Sequence, residues 1–142
     1  MERERAKKLL RALGEKADSH GIQALSEEER NVLVPYWARG LIGNGGFRYF
    51  FEHDHPLSDT VRRMRSLGLG STADACESVL GQLFPGGAEP ADYWERRRLT
   101  DGIDWDRFDP EESAIYKVSW DQFTDAIGAY IESHPDAFRS LE

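Results

Sequence analysis

The sequence predicts an all-α fold: one compact multi-helix domain of about six to eight helices with no significant sheet. Apolar residues recur at helical spacing along most of the chain. Val, Ile and Thr never alternate over a strand's length. Capping serines, prolines and glycine pairs punctuate the chain at intervals that suit short helices.

Residues 2–14 are expected to form a first amphipathic helix, with Leu9, Leu10 and Leu13 on one face and Gly14 near its end. A polar stretch, Asp18-Ser19-His20-Gly21, separates it from the next. Ser26-Glu27-Glu28-Glu29 has the capping-box pattern, a serine followed three residues on by a glutamate that can reach back. Leu33, Tyr36, Trp37 and Leu41 follow on one face, and Pro35 among them should kink the helix or mark its restart. Gly43 to Gly46 should interrupt it, with Asn44 bonding its own backbone or capping a further piece from Phe47 to His53.

After the turn at Pro56, Ser58 is a candidate cap for a helix to about Leu67, which Gly68-Leu69-Gly70 ends. Ser71 or Thr72 can cap the next, with Ala75, Val79, Leu83, Cys76 and Leu80 facing inward until Phe84-Pro85-Gly86-Gly87 stops it. Pro90 suits the first turn of a short helix over 91–98, and residues 100–109 are the least regular part. Asp109-Pro110-Glu111-Glu112 looks like a capped start. Ser119-Trp120-Asp121-Gln122 is a second capping box, opening a helix with Phe123, Ile127, Tyr130 and Ile131 on one face; Pro135 ends it before a short tail with Phe138. Residues 1–21 read as N-terminal helix and linker and 22–139 as the core of a single domain over 1–142.

The composition of the 142 residues, 39% hydrophobic and 11% aromatic, is too apolar for a disordered chain. No run approaches the roughly 18 apolar residues of a membrane span, and the charged start Met1-Glu2-Arg3-Glu4-Arg5 does not resemble a signal peptide. A lone Cys76 allows no internal disulfide and no multi-cysteine metal site. A soluble cytoplasmic protein is expected. Its net charge of −8 is unevenly spread: residues 71–142 hold six basic against sixteen acidic residues, more than the whole surplus. Such a field repels nucleic acid and attracts basic partners, so direct DNA or RNA binding is disfavoured.

Four constellations suggest chemistry. Gly43-Asn44-Gly45-Gly46 has the glycines of a phosphate cradle but neither a preceding strand nor a following lysine, so it reads better as a helix break. Glu52-His53-Asp54-His55 with Asp59 has metal-ligand residue types and could centre a small metal-assisted enzyme. However, histidines two apart on a helix diverge, and a solvated loop accounts for them. Cys76 lies among small helical residues, as a buried structural cysteine does. Trp37, Tyr49, Phe50, Phe51, Trp94, Trp105 and Trp120 fit a core or a dimer contact better than a base-stacking platform. No metal, no cofactor and no enzymatic activity are expected.

Several segments together resemble one family: Leu25-Ser26-Glu27-Glu28-Glu29-Arg30, Asn44-Gly45-Gly46-Phe47, Met64-Arg65-Ser66-Leu67-Gly68 and the closing run from Ala129 to Phe138. The chain is similar, over about residues 23–139, to the bacterial family typified by the DNA-mimic protein numbered nineteen, also known as a domain of unknown function. It departs from the pattern at Tyr49, where a glutamine is usual, and in the loop His53-Asp54-His55-Pro56. The resemblance implies an all-helical fold, an option of homodimerisation, and an acidic surface that stands in for DNA before a transcriptional regulator. The candidate partner-binding residues are Glu89, Asp92, Glu95, Asp101, Asp104, Asp106, Asp109, Glu111, Glu112, Asp121 and Asp125. Carboxylates three or four apart on a helix repeat every ~4.5–6 Å, comparable to a row of phosphates. The expected function is a non-enzymatic acidic interaction protein that binds a basic protein such as a DNA-binding regulator. An immunity-type inhibitor of a basic toxin would use the same surface.

Overall fold

Eight α-helices make up the fold, three of their connections containing a 3-10 turn and a fourth such turn following the last helix, and no strand forms. The computed structural model describes residues 1–142. Helix α1 covers Arg3–His20 rather than stopping near Gly14. Its buried stripe of Ala6, Leu9, Leu10 and Leu13 continues to Ala17, and that extra turn of burial outweighs the ~1 kcal/mol a mid-helix glycine costs. Gly21, at φ 85°, ends it, its N–H donating to the Ala17 carbonyl at 2.8 Å.

The long helix α2, Glu27–Phe51, begins at the expected capping box: Glu29 N–H donates to Ser26 Oγ and Ser26 N–H to Glu29 Oε1. Pro35 neither breaks nor restarts it. The only non-helical residues inside are Gly45 (φ −163°, ψ 21°) and Gly46 (φ 70°, ψ −170°). The break is therefore two residues wide, not four, and each glycine has its own reason. Gly46 occupies a region almost closed to residues with a Cβ. Gly45 is extended, but a Cβ there would come within 2.6 Å of Tyr49 Cβ. The kink swings Phe47, Phe50 and Phe51 fully into the core. There Phe47 meets Phe108 edge-on at 6.2 Å and Phe51 meets Phe84 at the same distance.

Helix α3 (Leu57–Ser66) and α4 (Gly70–Leu83) form a hairpin around Gly68, at φ 74°. Neither is capped by the residue expected. Ser58 lies inside α3, whose first N–H groups, on Leu57 and Ser58, donate instead to Glu89 at 2.7 and 2.9 Å. The α4 start at Gly70 has no side-chain cap; Ser71 and Thr72 are already helical, and Thr72 is buried. Of the α4 residues expected inside, Ala75, Cys76 and Val79 are buried and Leu80 and Leu83 only half-buried.

Helix α5 starts at Tyr93 and runs to Leu99, because Asp92 takes the N-cap position and accepts from Glu95 N–H at 2.9 Å. A 3-10 turn, Trp105–Phe108, leads into α6 (Asp109–Tyr116). Helix α7 (Trp120–Ser133) opens at the second capping box, between Ser119 and Gln122. A further short helix, α8 (Pro135–Phe138), stands where a plain tail was expected and buries Phe138. Helix α2 is the axis of the assembly, touching α1, α3, α6, α7 and α8, while α1 packs along α7 and α4 along α6.

Gly46→Ala should lower stability by about 2–3 kcal/mol, combining unfavourable positive φ with loss of a cap from α6 described below. Thermal melts monitored by circular dichroism would show it as a clear fall in Tm, whereas Gly14→Ala, with open space at its Cβ, should raise Tm slightly.

Candidate functional site

The eleven candidate carboxylates have different surroundings. Glu89 caps α3 and also accepts from Ser58 Oγ at 2.6 Å. Asp92 caps α5. Glu95 pairs with Arg98 one turn on. Asp121 and Asp125 on α7 share Arg3 of α1, at 3.2 and 2.9 Å, so their charge is partly met within the fold. Asp101 lies at an exposed turn beside Arg48 and Arg97.

The remaining acids converge on the start of α6. Asp104 is exposed and caps the 3-10 turn by accepting from Asp106 N–H at 3.1 Å. Asp106 and Asp109 are exposed and have no ion-pair partner. Glu111 accepts from Ser78 and Gln82 of α4 at 2.9 and 3.0 Å. Glu112 points back to the break in α2, where Oε1 accepts from Phe47 N–H at 3.1 Å, the cap expected of Asn44. A Cβ on Gly46 would overlap that oxygen, so the glycine makes room for the carboxylate. Burial raises the Glu112 pKa, and the charges of Asp109, Asp106 and Glu111 raise it further. Glu112 therefore lies close enough to Asp106, Asp109 and Glu111 to feel their charge. Asp104 to Glu112 is one short stretch of chain, and the 3-10 turn and first turn of α6 hold its acids at one end of that helix.

The Arg96-Arg97-Arg98 run is divided as well. Arg96 is 1% exposed, donates to the Pro90 and Ala91 carbonyls at 3.0 and 2.8 Å, and pairs with Asp54. That pairing removes Asp54 from the histidine loop, and Asp59 is likewise held by Arg62 and Arg63. His53 bonds the Tyr49 carbonyl, while His55 packs on Trp37 with its pKa lowered, chiefly by burial. No three His, Cys, Asp or Glu side chains are grouped to hold a metal ion. The Cys76 thiol is fully buried against Met64, and burial pushes its pKa up to about 12, so a nucleophilic thiolate is not available near neutrality.

A second feature escaped the sequence reading. Between α2 and the α6–α7 junction lies a cleft of about 800 Å³ whose walls include Tyr36, Trp37, Tyr116 and Trp120. Its floor holds Arg39, 6% exposed. The guanidinium lies 4.8 Å from the Trp120 ring centre and 5.3 Å from that of Tyr116. Its buried Nε has no hydrogen-bond partner, and burial weakens its charged form with no carboxylate in opposition. The other two buried arginines are matched: Arg63 bonds Asp59, Glu27 and Asn31, and Arg96 bonds as above. Two cation–π contacts contribute about 2 kcal/mol each, against several kcal/mol to desolvate a charge. One signal in the sequence could have found it. Arg39 stands in a run from Val32 to Ile42 with no acid three or four residues to either side. The aromatics also divide: Phe50 and Phe51 are core, whereas Trp94 is 74% exposed and Trp120 and Tyr49 are partly so.

Residues 23–134 match the family described as DMP19-like protein. The chain belongs to this DMP19-like family. The match takes in everything from the turn after α1 to the end of α7, and so covers the kink, the acids of α6 and the cleft. No curated protein and no solved structure matches the chain. No helix of this DMP19-like protein is long and apolar enough to cross a membrane.

Two outcomes follow from these surroundings. Because Glu112 has a raised folded pKa, the fold gains stability as pH falls through that pKa, an advantage complete below the ordinary carboxyl value of 4.5. Glu112→Gln, which keeps an acceptor for Phe47, lacks this gain. Wild type should therefore rise in Tm relative to it between pH 7 and 4.5. For the arginines, Arg39→Met should change stability by no more than about 1 kcal/mol, whereas Arg63→Met should lose about 2–3 kcal/mol. Urea unfolding of the two variants compares them directly.

Proposed function

We propose that the protein is a non-enzymatic interaction module whose acidic surface at the start of α6 binds a basic protein. A DNA-binding transcriptional regulator is the most concrete partner, the carboxylates taking the places of phosphates. The observation that carries this reading is that Asp106 and Asp109 stand exposed at the start of α6 with no ion-pair partner, close to Glu112. Asp104 and Asp101 extend the same exposed stretch. Along α6, residues three apart rise by ~4.5 Å, while duplex DNA carries a charge every ~3.4 Å per strand. Membership of the DMP19-like family points the same way. The reading places the protein in the bacterial cytoplasm beside such regulators, and two copies side by side would lengthen the charged row.

Glu89, Asp92, Glu95, Asp121 and Asp125 contribute less to this surface, since each carboxylate already caps a helix or meets an arginine. Glu112 is a poor choice for neutralisation because it holds α2. The quadruple variant Asp101→Asn, Asp104→Asn, Asp106→Asn and Asp109→Asn keeps the cap at Asp104, since asparagine caps as well as aspartate. Proteins retained from the native lysate at low salt should be released by excess duplex DNA and by raised salt. Affinity for them should fall at least about tenfold in the quadruple variant at unchanged Tm. Equal retention by wild type and variant, or indifference to duplex DNA, would overturn the reading.

A further inference from the structure

Of the three buried arginines, Arg39 alone lacks an anion, and it lies where a ligand could supply one. The site around it is open on the side where a ligand would enter. Gly40 and Gly43 line the cleft, and a Cβ on Gly43 would come within 2.9 Å of Arg39 Nη1, so the missing side chain gives the guanidinium its room. The walls are planar and apolar, with Trp120 edge-on to Tyr36 at 5.5 Å and Trp37 opposite His55. The volume, about 800 Å³, is in the range of small-molecule sites. Arg39 is the sole arginine or lysine lining it; of its two histidines, burial favours the neutral form of His55, and His53 Nδ1 is engaged with the Tyr49 carbonyl. One fixed positive charge suits one negative charge.

We propose that the cleft between α2 and the α6–α7 junction binds a small organic monoanion, a carboxylate carried on a planar apolar body, with Arg39 as the anchor of the carboxylate. Guanidinium and carboxylate match as a two-pronged hydrogen-bonded pair, and the ligand's acceptors would meet a guanidinium that no carboxylate of the protein opposes. The aromatic walls of Trp37, Tyr36 and Trp120 would cover the planar body. This site lies at the other end of α6 from the acidic surface, and the charges of Glu112 and Asp109 reach it only at the Tyr116 wall. The two share only α6, which carries Asp109 at its start and Tyr116 at its end.

The test uses the full chain, labelled with nitrogen-15, and three probes: 2-naphthoate, 2-naphthamide and 2-naphthyl phosphate. The indole N–H signals of Trp37 and Trp120 should move saturably with naphthoate, with a Kd below about 1 mM, while exposed Trp94 stays still. The uncharged amide should bind at least about tenfold more weakly, and so should naphthoate to Arg39→Gln. Gly40→Leu fills the cleft from a position with open space at its Cβ and leaves Arg39 in place. It should abolish the shifts with the fold intact, and it decides the matter if Arg39→Gln does not fold. Equal binding of acid and amide, or naphthoate binding unchanged in Gly40→Leu, would overturn the proposal. Preference for the phosphate would overturn the carboxylate assignment. A dimer that Gly40→Leu dissociates would give the cleft to a second copy and overturn it as well.

Discussion

The contact between Glu112 and the break in α2 is the one on which most else depends. A helix of 25 residues cannot turn Phe47, Phe50 and Phe51 into the core and also keep its first half against α1 and α7 unless it breaks. Breaking it frees backbone donors at Gly45–Phe47, and these need an acceptor in a half-buried place. Glu112 supplies one to Phe47, and Gly46 has no side chain to obstruct it. The same bond pins α6 to α2. Through α6 it sets the position of the acidic surface at one end and of Tyr116, whose hydroxyl donates to the Ile42 carbonyl at 2.7 Å, at the other.

The acidic surplus of the C-terminal half serves two ends. Some carboxylates replace missing backbone partners at helix starts, where the amide dipoles favour them and no arginine is required. Others are balanced by Arg3 or Arg98 at the surface. What is left over gathers at the 3-10 turn and the first turn of α6, where the helix N-terminus tolerates like charges that would otherwise push apart. Surface charge and helix capping thus draw on neighbouring residues of one segment, and Glu112 is structural while Asp106 and Asp109 stay exposed.

The arginines show the complementary pattern. Arg63 and Arg96 are buried with donors matched to carboxylates and carbonyls, so each ties two helices or loops together. Arg39 is buried to a similar degree against two aromatic rings and has no such match. A folded chain carries an unsatisfied buried charge only at a cost, and an open aromatic cleft above it is where such a cost can be met by something outside the chain.

Much of this protein was legible in the sequence because it depends on local chemistry. Both capping boxes, the helical periodicity of α2 and α7, the stop at Gly68 and the family itself are set by residues a few positions apart. Local chemistry is overridden where a distant residue intervenes. The sequence placed Ser58 and Asn44 at caps because they are near, whereas Glu89 and Glu112 arrive from 31 and 65 positions away. It ended α1 at Gly14 because packing against α7 is invisible in one segment. So the sequence by itself determined an all-helical chain, its punctuation and an acidic C-terminal half. Only the tertiary structure decided which acids serve backbone donors and which arginine is left without a partner, because those outcomes depend on which helices meet.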